Sequence, residues 1–140
     1  MKEILTALRE LIQDEMAEIK GIYILPDPDM LPTVVKYPCI GLKDGESSFS
    51  EGMAESENER SSILIYIYQQ ILKEEASVMG EGGKKGVLDL MDDLRTALNF
   101  NLLNDLIHSA YIPDVFASET MLVGENIFVQ RKGCRFVYEK

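Results

Sequence analysis

The sequence predicts an α+β fold in which two main amphipathic helices pack on an antiparallel or mixed β-sheet. Apolar residues recur at helical spacing in two segments, 2–19 and about 84–99. Between them, segment 61–72 reads SSILIYIYQQIL and is apolar on both of its faces, as expected of a central strand. The last third of the chain, from about Tyr111, is rich in β-forming residues. Helices and strands therefore follow one another in the order α-β-β-β-α-β-β, which favours an α+β domain.

The composition predicts one globular domain spanning residues 1–140. The chain is 46% hydrophobic and 27% charged, which is ordinary for a folded protein and argues against global disorder. Its length fits a single hydrophobic core.

The first element is a helix with one apolar stripe, and Gly21 is well placed to end it. Acidic residues interrupt the stripe, unlike the apolar core of a signal peptide, so we expect synthesis and folding in the cytoplasm. The stripe consists of Ile4, Leu8, Leu11, Ile12, Met16 and Ile19.

Two strands should follow this helix. IYIL (22–25) is short, and the proline-rich connection 26–32 separates it from TVVKYPCIGL (33–42). Because proline cannot donate a ladder hydrogen bond, Pro38 predicts that the second strand lies at a sheet edge or carries a bulge.

Two polar segments, about 43–60 and 73–86, are predicted to be flexible loops. The first contains DGESSFSEGMAESENER, which holds six acidic residues and one basic residue. Structureless loops of this length are uncommon in compact domains and are usually functional or disordered. We therefore expect the first loop to contact a partner, gaining order when it binds.

The central strand should place Ile63, Ile65 and Ile67 on one face and Leu64, Tyr66 and Tyr68 on the other. Burial on both faces requires helices, a second sheet or a neighbouring subunit. The second helix turns a further apolar stripe inward, formed by Val87, Met91, Leu94 and Leu98. Segment 101–107 is predicted to extend or follow this helix, and Gly133 is predicted to mark a bulge or bend in the last strand.

No catalytic, cofactor or metal site is predicted. Cys39 and Cys134 lie in apolar strand contexts and are expected to be buried, reduced thiols. His108 is the only histidine, so a site built from several histidines is excluded. MGEGGKKG (79–86) lacks the second glycine and the Ser or Thr of a phosphate loop. The pair Asp27 and Asp29 is expected to be structural, since it lacks the glycine and the terminal glutamate of a calcium loop. The cluster Asp89, Asp92 and Asp93 is also expected to be structural, because Lys85 and Asp89, and likewise Asp92 and Arg95, are helical neighbours whose charges offset each other.

The net charge of −10 argues against nucleic-acid binding, because such a surface repels phosphate. No apolar run approaches the length of about 18 residues that a membrane span needs. An acidic surface instead favours solubility, basic protein partners or a surface to which DNA does not adhere.

The order and spacing of these segments resemble one known family. An amphipathic N-terminal helix precedes a strand and the proline-bounded LPTVVKYPCIGL; a variable loop leads into SSILIYIYQQ. A glycine-containing linker then precedes the helix GVLDLMDDLRTALNF and a β-rich tail. The chain is similar in this respect to the tail-terminator, or tail-completion, proteins of long-tailed bacteriophages and prophages, the lambda-type minor tail proteins.

The resemblance implies an α+β subunit of the virion tail, made in the bacterial host, that acts without covalent chemistry and without a cofactor. It implies a homo-hexameric ring that stops growth of the tail tube and joins it to the head. The implied partners are further copies of the chain, the tail-tube protein and a head-completion or neck protein. Such a ring around a DNA channel would benefit from acidic side chains, since these prevent DNA from adhering.

Contact residues are expected in the acidic segment and on the central strand. They are Glu46, Phe49, Glu51, Met53, Glu55, Glu57, Glu59, Tyr66 and Tyr68. Two alternatives remain open from the residues themselves: an acidic adaptor or inhibitor unrelated to phage, and a carboxylate- or metal-dependent enzyme.

Overall fold

The computed structural model describes all 140 residues and confirms the α+β fold. Three helices and six strands make up the chain. Their bounds are α1 Lys2–Glu15, β1 Ile22–Ile24, β2 Cys39–Glu51, β3 Glu57–Gln70, α2 Glu74–Met79, α3 Val87–Leu98, β4 Ser109–Val115, β5 Glu119–Val123 and β6 Ile127–Glu139.

The strands form one mixed sheet in the order β1-β2-β3-β6-β4, and β5 pairs with β6 beyond the end of β4. Only the β1–β2 pairing is parallel. The centre of the sheet is β3, which pairs with β6 without interruption from Arg60 opposite Glu139 to Gln70 opposite Val129. The long central strand expected from SSILIYIYQQIL is thus present, although it begins four residues earlier.

The main core lies between one face of the sheet and the helices α1 and α3. Ile63, Ile65 and Ile67 are fully buried there, as the alternation predicts. Each such side chain contributes about 1.5–3 kcal/mol when it leaves water. The helices supply the apolar stripes expected of them, including Ile4, Leu8, Ile12, Leu90, Leu94 and Leu98.

The opposite face of the sheet is covered in part by the connection between β1 and β2, residues 25–38. Leu25 joins Cys39, Tyr68 and Val129 in a second, smaller apolar cluster, and further side chains from this β1–β2 connection pack against it. The chain therefore covers this end of its central strand by itself, without a neighbouring subunit.

The edge of the sheet at β4 is closed by the residues that follow α3. The Phe100 N–H donates to the Ala110 carbonyl at 2.8 Å, and the Ile112 N–H donates to the Asn99 side-chain oxygen at 2.8 Å. Pro113 then offers no N–H of its own. Little of the β4 backbone is left to pair with another strand.

The prediction of two long flexible loops is wrong in both places. Segment 43–60 is mostly strand, because β2 runs to Glu51 and β3 begins at Glu57, so hydrogen bonding between strands outweighs the poor β-propensity of its Ser, Gly and Glu residues. Segment 73–86 contains α2 and a tight turn in which Glu81 and Lys84 exchange both backbone hydrogen bonds. Gly82 and Gly83 between them have φ of +56° and +83°, which suits a two-residue hairpin turn.

Element ends also differ from expectation. Helix α1 stops at Glu15, not near Gly21, because Met16 leaves the helical conformation with φ −124° and ψ 79°. Strand β2 begins only at Cys39, after Pro38. Segment 101–107 does not extend α3, and three of its residues, 103–105, have positive φ.

Gly133 marks no bulge against β3, contrary to expectation. The β3–β6 register is continuous through Gly133, which lies opposite Tyr66. A Cβ at this position would lie 2.6 Å from two ring carbons of Tyr66, so the glycine makes room for the aromatic ring.

Candidate interaction surface

The acidic segment forms the outer half of a long β-hairpin, here called the arm and defined as residues 46–59. Its strands are joined by a five-residue loop, 52–56, in which the Gly52 N–H donates to the Ser56 carbonyl at 2.7 Å. Alongside the arm, β6 ends at Glu139, and the next residue, Lys140, exchanges two backbone hydrogen bonds with Glu59. Beyond that row the arm is a two-stranded ribbon with no third strand beside it.

A bulge separates the arm from the buried half of the hairpin. Asp44 is opposite Ile63, whereas Ser47 is opposite Ser61, so β2 carries one extra residue between them. Gly45 lies in this bulge, where a Cβ would come within 2.3 Å of the Ser62 hydroxyl. A glycine is therefore required for the two strands to approach here.

A polar cluster fixes the base of the arm. The hydroxyl oxygen of Ser61, which is 2% exposed, lies 2.7 Å from both the Ser47 hydroxyl and a carboxylate oxygen of Glu59. The Tyr138 hydroxyl donates to the same carboxylate oxygen at 3.5 Å. The side chains of Ser47 and Glu59 therefore lie on the same face of the sheet as the helices.

Four of the seven predicted contact residues in the arm share one of its faces. Phe49 is opposite Glu59, and Glu51 is opposite Glu57, so one exposed aromatic ring lies among three carboxylates on the same side. Met53 and Glu55 occupy the loop at the tip, and Glu46 lies in the bulge. The structure brings the arm residues of the prediction together on one projection.

The charge of the arm is uncompensated. Residues 46–59 contain five glutamates and no lysine or arginine, and none of the five takes part in an ion pair. Like charges placed directly opposite each other in a sheet are destabilising, as for Glu51 and Glu57. The arm thus keeps a repulsion that a cationic partner would relieve.

The outer edge of β2 is open along the arm. The short strand β1 pairs with β2 only from Ile40 to Leu42, and no strand lies beside Lys43–Glu51 on that edge. The N–H and the carbonyl of Glu59 both bond to Lys140, on the β6 side. Phe49 and Glu59 are therefore a non-hydrogen-bonded pair of the β2–β3 ladder. In such a pair both residues direct their backbone groups away from each other, so the N–H and carbonyl of Phe49 point toward the open edge of β2.

The two tyrosines of the prediction lie elsewhere, on the face of the sheet opposite the helices. Tyr68 is fully buried, and its hydroxyl donates to the Pro28 carbonyl at 2.6 Å. Burial raises the pKa of this hydroxyl. Tyr66 is half-buried under the guanidinium of Arg131, 5.3 Å from the ring centroid. Tyr68 offers no surface to a partner, so the prediction that it makes such a contact is wrong.

Sequence reasoning missed the cluster around Arg131. Its side chain is 14% exposed and forms ion pairs with Asp29 and Glu119 while it stacks on Tyr66. The pKa of Arg131 is raised by its hydrogen bonds to the two carboxylates, although desolvation, the largest single effect, opposes this rise. The cluster holds the β1–β2 connection against the sheet, and no local pattern marks it, because its members are far apart in sequence.

The glycine-rich segment before α3 is anchored by Lys85. Its ammonium group contacts Glu18 at 2.9 Å and also Asp93. The hydrogen bond from Lys85 lowers the pKa of Glu18. The expected helical pairing of Lys85 with Asp89 is not formed; the Asp89 carboxylate instead accepts the Gly86 N–H at 3.4 Å at the start of the helix.

Other titratable groups form no recognisable site. Cys39 and Cys134 are free and buried, as predicted. No group of three or more His, Cys, Asp or Glu side chains is arranged to hold a metal ion, and none of the helices combines the length and hydropathy of a membrane span. The exposed His108 lies just before β4 and uses its backbone N–H to bond the Glu139 carbonyl.

No family model matches the chain, and no curated protein matches it either.

Proposed function

We propose that this chain is a structural subunit of a phage or prophage tail, a tail terminator that forms a ring, caps the tail tube and joins it to the head. The observation that carries the proposal is the arm, a charged projection that extends from an otherwise compact sheet. A subunit of such an assembly needs an element that reaches a different protein, here the tail-tube or neck protein, and the arm takes the place of the variable loop in the resemblance.

A separate surface supports self-assembly. Large apolar side chains remain exposed at the end of the β5–β6 hairpin, where Leu122 and Phe128 lie opposite each other and are 57% and 51% exposed. Val115, the last residue of β4, and Phe116, which follows it, are 39% and 37% exposed. Copies of the chain packed side by side would bury this surface and gain about 25 cal/mol for each Å² of apolar area removed from water.

The test is assembly with and without tail-tube protein. Light scattering after size exclusion gives the molar mass, and negative-stain microscopy shows whether particles have a central hole. The proposal expects rings, either from the chain alone or after addition of tail-tube protein. A chain that stays monomeric at all concentrations and ignores tail-tube protein would contradict it.

A shortened arm makes this test specific. Ser48 and Arg60 are the next pair inward from Phe49 and Glu59, so they form a hydrogen-bonded pair that a two-residue turn can close. Replacing residues 49–59 with Asn-Gly should leave the sheet folded, because the removed residues lie outside the buried core and beyond the Glu59 row form a ribbon of only two strands. We expect this variant to keep its thermal transition and to lose assembly or docking.

The five unpaired glutamates of the arm also favour a second candidate, an acidic adaptor or inhibitor unrelated to phage. Such a protein would bind a basic protein as a monomer and would not respond to tail-tube protein. The mass measurement therefore separates the two candidates.

A further inference from the structure

From the geometry of the arm we infer that the outer edge of β2, from Glu46 to Glu51, binds an extended, lysine- or arginine-bearing segment of another protein as an added strand. The inference concerns the mode of recognition and the chemistry of the partner. It does not depend on ring formation, since a single subunit carries the whole site.

The first step is the open backbone. The edge of a β-strand that lacks a neighbour presents unpaired N–H and carbonyl groups, and an extended peptide can satisfy them. Here these groups include those of Phe49, in the middle of the open stretch. By the same alternation, Ser47 and Glu51 also direct their backbone groups outward.

The second step is the charge. Glu51, Glu57 and Glu59 surround Phe49 on one face, and no cation of the chain pairs with them. A strand added at this edge would place alternate side chains on that face. Lysine or arginine there would relieve the repulsion between opposed carboxylates, and the hydrocarbon stem of such a residue suits the Phe49 ring.

The third step excludes a second copy as the occupant. Arms from two copies would place glutamates against glutamates. The β4 edge is closed by Asn99 and Phe100. The edges left are β1 (IYI), β5 (ETMLV) and the β3 side of the arm at Glu57 and Asn58, and none of them contains a lysine or an arginine. The charge of the arm is therefore complementary to a different protein.

The experiment uses the full chain and a synthetic nine-residue peptide of alternating lysine and valine, with a glutamate–valine peptide of the same length as control. Binding is followed by fluorescence polarisation, and hydrogen exchange locates the site. We expect saturable binding of the lysine peptide alone, with slower exchange at the outward amides of 47–51. Binding of both peptides with equal affinity would overturn the inference.

Two protein variants test the charge. Glu51→Gln with Glu57→Gln should weaken binding of the lysine peptide about tenfold. Glu10→Gln with Glu15→Gln removes the same charge from exposed positions on α1 that form no ion pair, and it should leave the affinity nearly unchanged. Equal losses from the two double variants would show a general effect of net charge and would overturn the assignment to the arm.

N-methylation of the peptide tests strand addition without altering the protein. A strand bonds its neighbour through alternate residues, so methylating one set of alternate backbone nitrogens should abolish binding, whereas methylating the other set should preserve it. If both methylated peptides bind like the parent, contact is purely electrostatic and the added strand is refuted. Self-association through the arm, seen as a doubled mass that the Glu51/Glu57 variant alters, would refute a different protein as occupant.

Discussion

Removing Arg131 should detach the β1–β2 connection from the sheet and destabilise the whole subunit. The guanidinium pairs with Asp29 in that connection and with Glu119 at the start of β5, and it stacks on Tyr66 of the central strand. Arg131→Ala therefore breaks one cluster that joins three parts of the fold.

The size of the effect follows from burial. The two ion pairs contribute about 1 kcal/mol, because Asp29 and Glu119 are 70% and 62% exposed and regain water when the cation is lost. The contact with the Tyr66 ring contributes about 1–2 kcal/mol. Burial of the arginine methylenes contributes about as much. Against this, the buried Nε of Arg131 has no hydrogen-bond partner, and its removal relieves about 1 kcal/mol. The expected net loss is about 2–4 kcal/mol.

Urea unfolding followed by far-UV circular dichroism measures this loss, since the chain has no tryptophan. Arg135→Ala is the matched control: Arg135 lies in the same strand and pairs with Asp114, but the two side chains are 45% and 47% exposed. We expect the control to lose less than about 1 kcal/mol. Hydrogen exchange should also accelerate in residues 26–38 of the Arg131 variant alone. Losses that agree within about 0.5 kcal/mol would refute the reasoning, because they would make Arg131 an ordinary surface cation.

Three further predictions concern the thiols, the second face of the sheet and the arm. Burial raises the pKa of Cys39 and of Cys134 to about 12, so neither thiol should react with iodoacetamide at pH 8 until the chain unfolds. The free energy of unfolding should fall as the pH rises above about 9, because the unfolded chain then releases thiol protons that the folded chain retains. Urea titrations across this pH range measure whether it falls. Tyr68→Phe removes the 2.6 Å hydrogen bond to the β1–β2 connection and should cost about 0.5–1.5 kcal/mol in the same unfolding assay, whereas a loss of zero would mean that water replaces the bond. Glu57→Lys creates an opposite-charge pair across the arm and should slow amide exchange there about twofold to fivefold. Glu55→Lys makes the same charge change at the loop tip and should not slow exchange. Equal slowing by both variants would assign the effect to net charge.

The parts of the fold that the sequence predicts are those governed by local periodicity. The apolar stripes of α1 and α3 and the alternation of Ile63, Ile65 and Ile67 each identify a face that must leave water, and each face is buried. The strands of the arm were not predicted, because a ribbon that is exposed on both faces shows no apolar alternation and its composition resembles that of a loop. Its strand conformation comes from hydrogen bonds between the strands and from a bulge at Gly45, and neither feature produces a periodic pattern in the sequence.

The candidate site could be predicted only in part, because local sequence features identify some of its residues but not their arrangement. Acidic composition alone identifies the arm residues, and the structure adds that they share one face and an open edge. The Arg131 cluster could not be found in this way, because Asp29 and Arg131 are 102 residues apart and meet only once the sheet is formed. The prediction for Tyr68 was wrong because the pattern of a strand shows that a face is buried but not what covers it.

The two long edges of the sheet are protected by different physical means, and the difference bears on partner choice. At β4, Phe100 and Asn99 occupy the Ala110 carbonyl and the Ile112 N–H, so an added strand would have to break these hydrogen bonds whatever its charge. At the arm the backbone is left free, and only the charge of its glutamates discourages pairing between copies. A hydrogen-bonded cap excludes every partner alike, whereas charge excludes acidic strands and admits basic ones. Retaining an open, charged edge costs the arm stability, and that cost is consistent with selection for a partner strand of opposite charge.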